Sequence, residues 1–364
     1  MDFICTKCGR KEAVTTRAAH CACGGLWRLA YEPPKFDLAE IDRNEWSLFR
    51  YRRFLALDDE SWRSVSMGEG MTPVVRLDDN VLLKMDYFMP TLSFKDRGAA
   101  TLIAHCKSIG VQQVVQDSSG NAGNAVAAYC ARSGIGCEIF VPEGTSPKKI
   151  DMIRAHGAVC TVVPGTRDHC ADVCREKVER EGVYYANHVY NPFFYEGTKT
   201  YIYEVFEQLG RIPANLVIPV GNGTLFLGAM YALEHLFNSG VIDRFPQIIA
   251  LQSQNCDPLL RAAEHGKTEP EAVMPAPTIA EGIAIGKPMR GREILTLAEK
   301  HGVHFIHAPE EQILSARATL AEEGIYCEHT TAANYAAYLE YCRVYGKTSD
   351  TLITMCGAGL KSDH

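Results

Sequence analysis

The sequence predicts an α/β fold in which helices cover parallel or mixed β-sheets. From residue 111 onward, short apolar runs typical of buried strands alternate with helical segments, and glycine-rich turns join several of them. Such alternation is typical of parallel sheets, because each crossover between parallel strands places a helix on a sheet face. Ligands of these sheets bind at the carboxyl ends of the strands, where the glycine-rich turns are expected.

Length and composition set the protein class. The chain has 364 residues, of which 46% are hydrophobic and 22% charged, and this is long enough for two domains with a large core. The net charge of -7 argues against non-specific nucleic-acid binding. No apolar run approaches the roughly 20 residues that span a membrane. The first residues lack a secretion signal, so we expect a cytoplasmic protein whose 14 cysteines are reduced or bind metal.

Four cysteines near the amino terminus predict a zinc ribbon. Cys5 and Cys8 have C-x2-C spacing, Cys21 and Cys23 have C-x-C spacing, and a glycine follows each pair. Four thiolates complete a tetrahedral Zn²⁺ site, and such a closed site is structural because it has no open coordination position. We therefore predict a structural zinc ribbon over residues 1–31. The alternative is four free thiols.

The next segment connects the ribbon to the main body. Residues 44–57 are rich in aromatic and basic side chains, so they are expected to pack against the body or to form a subunit interface. A glycine turn at 68–74 enters a strand, and residues 81–85 are predicted to be its hairpin partner.

A lysine stands at the predicted start of a helix within residues 90–98. Lys95 lies between a Ser-Phe pair and Asp-Arg-Gly, which opens an apolar helix. The helix dipole disfavours a cation at this position and lowers the pKa of the amine, which suits a lysine that acts as a nucleophile or forms an imine. The alternative is a solvated surface lysine.

The remaining elements follow the strand–turn–helix order. Further strands are predicted at 111–116, 137–141, 160–163, 216–220, 248–252 and 351–355, and helices at 125–133, 147–156, 196–209, 313–323 and 332–344, with one more that ends at residue 237. The turn 118–124 follows the first of these strands. The turn 221–224 precedes a helix and predicts a phosphate-binding cradle of backbone amides. A Gly-x-Gly turn alone is a weak signal, and an ordinary tight turn is the alternative.

These features together match the needs of a pyridoxal phosphate enzyme. Lys95 would form the imine with the cofactor, and the 221–224 turn would hold the phosphate. Asn121, in the first glycine turn, would bond the ring hydroxyl, and the residue after the last strand would meet the ring nitrogen. The cofactor itself serves as the electron sink.

The sequence resembles the tryptophan-synthase-like (fold type II) pyridoxal phosphate enzymes, and among them most closely the threonine synthases. The matching segments are Glu69–Pro73, Ser93–Gly98, Ser118–Asn121, Gly221–Thr224, Thr278–Ile283, Glu328–Ala333 and Cys356–Gly359. The resemblance covers roughly residues 68–364, and the ribbon matches one that many threonine synthases have. It implies a large cofactor-binding domain at 32–88 and 200–364, a smaller α/β domain at 89–199, and a homodimer by analogy.

The resemblance also implies roles for individual residues. Lys95 is the Schiff-base lysine and the base that moves protons on the substrate. The residues implied to bind the cofactor are Lys95, Asn121, Gly221, Asn222, Gly223, Thr224 and Cys356. Cys356 stands where relatives usually have Ser or Thr. The candidate substrate-binding residues are Ser93, Arg97, Ser119, Asn124, Asn187 and His188.

The activity implied is conversion of O-phosphohomoserine and water to threonine and phosphate. Two departures from the threonine-synthase pattern argue against this activity. Phe193 and Phe194 stand where an Arg is expected after Asn-Pro, and Ala122 and Gly123 replace hydroxyl residues. Loss of an Arg–phosphate pair removes a strong contact. The alternatives are a β-replacement synthase of the cysteine, cysteate or diaminopropionate type, an ammonia-lyase on threonine, serine or diaminopropionate, and a binding protein that kept only the fold.

Overall fold

The computed structural model describes residues 1–57 and 59–361. Its backbone divides into two compact units. Unit 1 comprises Met1–Pro34, Ala39–Gly70 and Lys95–Thr198, and unit 2 comprises Lys35–Leu38, Met71–Phe94 and Lys199–His364. Residues 39–70 belong with residues 95–198 in unit 1. The predicted domain limits themselves stay a prediction.

The amino-terminal part of unit 1 is a three-stranded antiparallel sheet. Strands β1 (Asp2–Cys5), β2 (Lys11–Ala13) and β3 (Trp27–Ala30) pair in the order β2-β1-β3. Phe3 and Trp27 stack with ring centroids 6.0 Å apart, and both are buried in a cluster that includes Ala56 and Phe193. This small sheet therefore shares an apolar core with the rest of unit 1.

A four-stranded parallel sheet forms the centre of unit 1. Its strands are β6 (Gln113–Gln116), β7 (Gly136–Pro142), β8 (Val159–Val163) and β9 (Tyr184–Tyr185), in the order β8-β7-β6-β9. The accompanying helices are α1 (Lys95–Ser108), α2 (Asn121–Ser133), α3 (Pro147–Ala155) and α4 (Arg167–Glu181). The predicted parallel α/β arrangement is confirmed. Strand β9 and helix α4 were not predicted, because β9 has two residues and α4 is mostly polar.

Unit 2 contains a six-stranded mixed sheet in the order β12-β11-β10-β13-β5-β4. Its strands are β4 (Val74–Arg76), β5 (Val81–Lys84), β10 (Asn215–Pro219), β11 (Gln247–Ser253), β12 (His304–Ala308) and β13 (Thr351–Thr354). The β4–β5 hairpin is antiparallel, as predicted, and the other pairs are parallel. Strand β12 was not predicted, because its two histidines interrupt the apolar pattern.

Six further α-helices lie in the described part of the chain. They are α5 (Phe193–Leu209), α6 (Thr224–Asn238), α7 (Pro258–Glu264), α8 (Gly291–His301), α9 (Ile313–Glu322) and α10 (His329–Tyr345). Helix α5 begins in unit 1 and continues in unit 2. The core of unit 2 joins apolar residues of β10, β11 and β13 to the alanine-rich face of α10. Within the described ranges, no helix is long and apolar enough to cross a membrane.

The aromatic segment at 44–57 packs within unit 1. It forms a 3-10 helix at Leu48–Phe54, and the side chain of Ser47 caps it by accepting from the amide of Phe49. The Leu48 amide donates to the Glu69 carbonyl oxygen at 2.7 Å. The Ala56 amide donates to Glu196 Oε2 of α5 at 2.8 Å, so the first of the two expectations, packing against the body, is confirmed.

Candidate active site

Lys95 is the first residue of α1, as the sequence predicts. Its Nζ lies 5.8 Å from the ring centroid of Phe194. Gly98, one turn further along α1, contacts the same ring so closely that a Cβ there would lie 2.3 Å from a ring carbon. Glycine is therefore required at 98 so that Phe194 can pack against α1 on the side of the lysine.

The two phenylalanines at the position of the expected Arg have different surroundings. Phe193 stacks on His105, with centroids 3.7 Å apart, and meets the edge of Phe3 at 6.0 Å. It therefore belongs to the core shared with the amino-terminal sheet. Phe194 instead contacts Lys95 and Gly98. Of the two phenylalanines, only Phe194 therefore lies beside the lysine.

His188 lies beside Phe194 in the same unit. Its ring meets that of Phe194 edge-on at 5.7 Å, and its side chain is buried. Burial, and then the positive charge of Lys95, hold the pKa of His188 well below its ordinary value. The imidazole is therefore neutral at pH 7. Its Nδ1 has no hydrogen-bond partner among residues 1–57 and 59–361.

Asn187, the preceding residue, has a structural environment. Its Nδ2 donates to Asp117 Oδ1 at 2.7 Å and to the Tyr185 hydroxyl at 3.1 Å. Its Oδ1 accepts from the amides of Val189 and Tyr190. These bonds fix the turn after β9, in which His188 lies.

The turn before α2 holds three more of the predicted residues. Asn121 begins α2 and is half-buried, as is Ser119. Gly123 packs so closely on the Ser118 carbonyl oxygen that a Cβ would lie 1.8 Å from it. Asn124 is buried, and its Oδ1 accepts no hydrogen bond from any described residue. The first turn of α2 thus combines the positive end of a helix dipole with polar side chains, which suits a bound anion.

The glycine turn after β10 forms a cradle in unit 2. Helix α6 begins at Thr224, and Gly223 before it has φ 77°. A Cβ on Gly223 would lie 2.4 Å from Ile294 Cδ1, and one on Gly221 would lie 3.1 Å from Ile283 Cα. The first turn of α6 contains no acidic residue. The backbone amides of this first turn and the positive end of the α6 dipole therefore fit a phosphate group.

The turn after β13 is fixed from two sides, both within unit 2. The Phe94 amide donates to the Cys356 carbonyl oxygen at 2.9 Å, and Ser93 forms a β-bridge with Gly357. On the other side, the Gly357 amide donates to Thr331 Oγ1 at 2.9 Å. Ser93 and Phe94 directly precede Lys95 in the chain. These bonds hold the backbone of Cys356, whose side chain is buried.

Four cysteine sulfur atoms lie close together in the amino-terminal part of unit 1. The Sγ atoms of Cys5, Cys8, Cys21 and Cys23 all lie within 4.8 Å of one another. Gly25 is needed beside them, because a Cβ there would lie 2.5 Å from Cys5 Sγ. Four thiols at this spacing suit a tetrahedral metal ion, and Zn²⁺ is the usual ion of an all-cysteine structural site.

The predicted site residues are therefore distributed between the two units. Unit 1 contains Lys95, Arg97, Ser119, Asn121, Asn124, Asn187, His188 and the four ribbon cysteines, and unit 2 contains Ser93, Gly221, Asn222, Gly223, Thr224 and Cys356. Within unit 1 the structure brings His188 against the Phe194 ring, which lies beside Lys95. Arg97 is fully buried. Sequence reasoning missed Asn334, which contacts Cys356 Sγ. The available signal was a second polar residue three positions after Thr331 in an alanine-rich helix.

Comparison with known proteins agrees with this geometry. A family model described as "Pyridoxal-phosphate dependent enzyme" matches residues 65–357. A threonine synthase from Methanocaldococcus jannaschii is 30% identical over 347 residues, which cover 91% of this chain and 85% of that protein. A threonine synthase from Mycobacterium leprae is also 30% identical, over 85% of this chain and 87% of its own length.

Solved structures show the same fold at lower identity. Threonine deaminase isoform 2 from Solanum lycopersicum, in its processed form, is 22% identical, with a TM-score of 0.71 over 91% of this chain and 93% of that one. Maize serine racemase is 20% identical, with a TM-score of 0.68 over 84% and 94%. The chain therefore belongs to the family of pyridoxal-phosphate dependent enzymes, and its relatives at 30% identity are threonine synthases.

Proposed function

We propose that this protein is a lyase of the threonine-synthase type, which converts O-phosphohomoserine and water to threonine and phosphate. The observation that supports it best is the position of Lys95, at the first residue of α1 beside the Phe194 ring and a neutral His188. The relatives at 30% identity, threonine synthases, support the choice of reaction.

The cofactor would be pyridoxal 5'-phosphate. Lys95 would bind it covalently through Nζ, Asn121 would orient its ring, the turn Gly221–Thr224 would bind its phosphate, and Cys356 would face its ring nitrogen. When bound, pyridoxal phosphate supplies an electron sink for negative charge that develops at the substrate carbons. The close-packed glycines and the uncapped start of α6 support the phosphate assignment.

Lys95 would also move protons at the substrate carbons, for which its amine must be neutral. The start of a helix disfavours a cation, and an apolar ring beside the amine reduces its solvation. Because His188 is neutral, it adds no positive charge beside Lys95. Its Nδ1 would accept or donate a hydrogen bond to a polar group of the substrate. Asn124 and the first turn of α2 would bind the substrate carboxylate. Ser93, Arg97, Ser119 and Asn187 stay weaker candidates for substrate contact.

One observation favours a second candidate, a β-replacement synthase or an ammonia-lyase. Phe194 lies beside Lys95 where a threonine synthase is expected to have a phosphate-binding Arg. A ring in that place gives an apolar wall, which suits a substrate whose leaving group carries no phosphate charge.

The test of the proposed function is product formation from a set of amino acids. We expect the purified protein with pyridoxal phosphate to release phosphate and threonine in equal amounts from O-phosphohomoserine, and to act more slowly on O-phosphoserine, threonine and serine. Phosphate is measured colorimetrically and threonine by chromatography. Release of ammonia from threonine or serine, without turnover of O-phosphohomoserine, would move the assignment to an ammonia-lyase.

The amino-terminal sheet would be a zinc ribbon with a structural role. We expect Cys5→Ser and Cys21→Ser each to lower the bound zinc measured by mass spectrometry and to lower the unfolding temperature. The visible spectrum of the bound cofactor should remain, because the cysteines lie outside the cofactor site. Cys137→Ser, at a cysteine outside the cluster, is the control. Unchanged zinc content in both ribbon variants would contradict the metal site.

Two further expectations stay predictions: a homodimer and a cytoplasmic location.

A further inference from the structure

Asn334 places an amide beside the sulfur of Cys356. Its Nδ2 lies 2.5 Å from the Thr354 carbonyl oxygen and 3.6 Å from Cys356 Sγ. Asn334 and Cys356 both lie in unit 2 and both are buried. One Asn side chain therefore has a donor for the end of β13 and a second donor for the thiol, because its amide group carries two N–H bonds.

The fold makes this contact specific. Thr331 and Asn334 lie three residues apart on α10, and residues at that spacing share one face of a helix. Thr331 bonds both backbone groups of Gly357, at 2.9 and 3.2 Å, and so fixes the residue after the cysteine. With the backbone of Cys356 fixed, rotation of its side chain and the hydrogen bonds of its sulfur decide where the S–H points.

A thiol in this place needs help that a hydroxyl does not. The S–H is a weak donor and sulfur a weak acceptor. The Thr354 carbonyl oxygen is an available acceptor for the thiol, at 4.0 Å. Asn334 donates to that same oxygen at much shorter range, so it competes with the thiol for it, while its second N–H donates to the sulfur. Both effects favour donation by the S–H of Cys356 to a group other than the Thr354 oxygen. The hydrogen bond that Asn334 donates to the sulfur also polarises the S–H bond, which makes the thiol a stronger donor.

We propose that Asn334 is a positioning residue that directs the Cys356 thiol toward the ring nitrogen of bound pyridoxal phosphate. This inference rests on the proposed function, which places Cys356 at that nitrogen. The Asn334 Oδ1 supports a role beyond packing, because it is buried and finds no hydrogen-bond partner within the described part of the chain. A purely structural side chain at this place would be expected to satisfy both ends of its amide or to be apolar.

The test uses Asn334→Asp, Cys356→Ala and the double variant, with cofactor binding as the readout. A neutral buried aspartic acid has the size of asparagine but one donor, which the Thr354 oxygen takes, so the sulfur loses its donor. We expect Asn334→Asp to raise the dissociation constant of pyridoxal phosphate, measured by fluorescence titration of the cofactor-free protein, by about fivefold to tenfold. We also expect a shift of the visible absorption band of the bound cofactor.

When the double variant is compared with Cys356→Ala alone, neither change should be seen, because position 334 then has no sulfur to direct. Asn334→Ala repeats the test without introducing a carboxyl group. Tyr201→Phe is the matched control: it removes a buried hydrogen bond to Thr354 Oγ1 (2.8 Å) without changing a residue bonded to the sulfur. It should lower the unfolding temperature and leave the dissociation constant within twofold.

The outcomes separate this inference from the proposed function. Two results would overturn the inference alone: binding within twofold of wild type in both Asn334 variants, or an equal loss of binding whether or not the Cys356→Ala change is also present. Failure of the wild-type protein to bind pyridoxal phosphate would overturn the inference together with the proposed function.

Discussion

Replacing Lys95 with alanine is expected to reduce turnover by about 10² to 10⁴-fold or more, since in the proposed function this one side chain would both hold the cofactor and move the substrate protons. The visible absorbance of the covalently bound cofactor should disappear in the same variant. Turnover is measured by phosphate release and the bound cofactor by absorption spectroscopy after gel filtration.

Lys107→Ala is the matched control for this experiment. Lys107 lies in the last turn of the same helix, and its Nζ donates to the Ser133 carbonyl oxygen at 2.8 Å. The control removes a lysine side chain from the same helix and should keep activity within a few-fold of wild type. If Lys95→Ala also stays within a few-fold, Lys95 has no role in the chemistry and the proposed function loses its main support.

Replacing Glu204 with alanine is expected to lower the free energy of unfolding by about 3–5 kcal/mol, because a buried lysine would lose its counter-charge. The Lys84 Nζ and Glu204 Oε2 lie 2.8 Å apart, and both side chains are 0% exposed. Lys84 also donates to the Thr72 carbonyl oxygen at 2.6 Å and to Gln208 Oε1 at 2.9 Å. Chemical denaturation of the variant and of wild type measures the difference.

The control is an exposed ion pair of the same protein. Glu60 pairs with Arg63, and their side chains are 62% and 61% exposed. Glu60→Ala should cost less than about 1 kcal/mol, because solvent screens exposed pairs. Equal losses in Glu204→Ala and Glu60→Ala would mean that the buried pair contributes no more than a surface pair.

The buried pair also affects the turn that enters β4. Glu204 Oε1 accepts from the Met71 amide at 2.8 Å, and Met71 has a positive φ of 49°. Thr72 Oγ1 donates to Asp86 Oδ1 at 2.8 Å. The charges thus fix the turn that enters β4, so a change in Glu204 is expected to reach beyond the pair itself.

Much of the local structure was predictable because it depends on neighbouring residues. The parallel strands of unit 1, the β4–β5 hairpin and the starts of α1 and α6 follow from apolar runs and glycine turns. The cysteine cluster follows from the spacing of two pairs within 23 residues of the amino terminus. The limits of the two units could not be predicted from neighbouring residues, because residues 39–70 pack with residues 95–198, which follow later in the chain.

The sequence by itself determined most of the strands and helices, the place of Lys95 at the start of a helix and the four clustered cysteines, because each of these is a pattern of neighbouring residues. Only the tertiary structure decided which phenylalanine faces Lys95, and that Asn334 meets Cys356 across 22 residues and Lys84 meets Glu204 across 120. The physical reason is that such pairs form when distant segments pack together. The burial that makes them strong is a property of the folded chain and is encoded in no single segment.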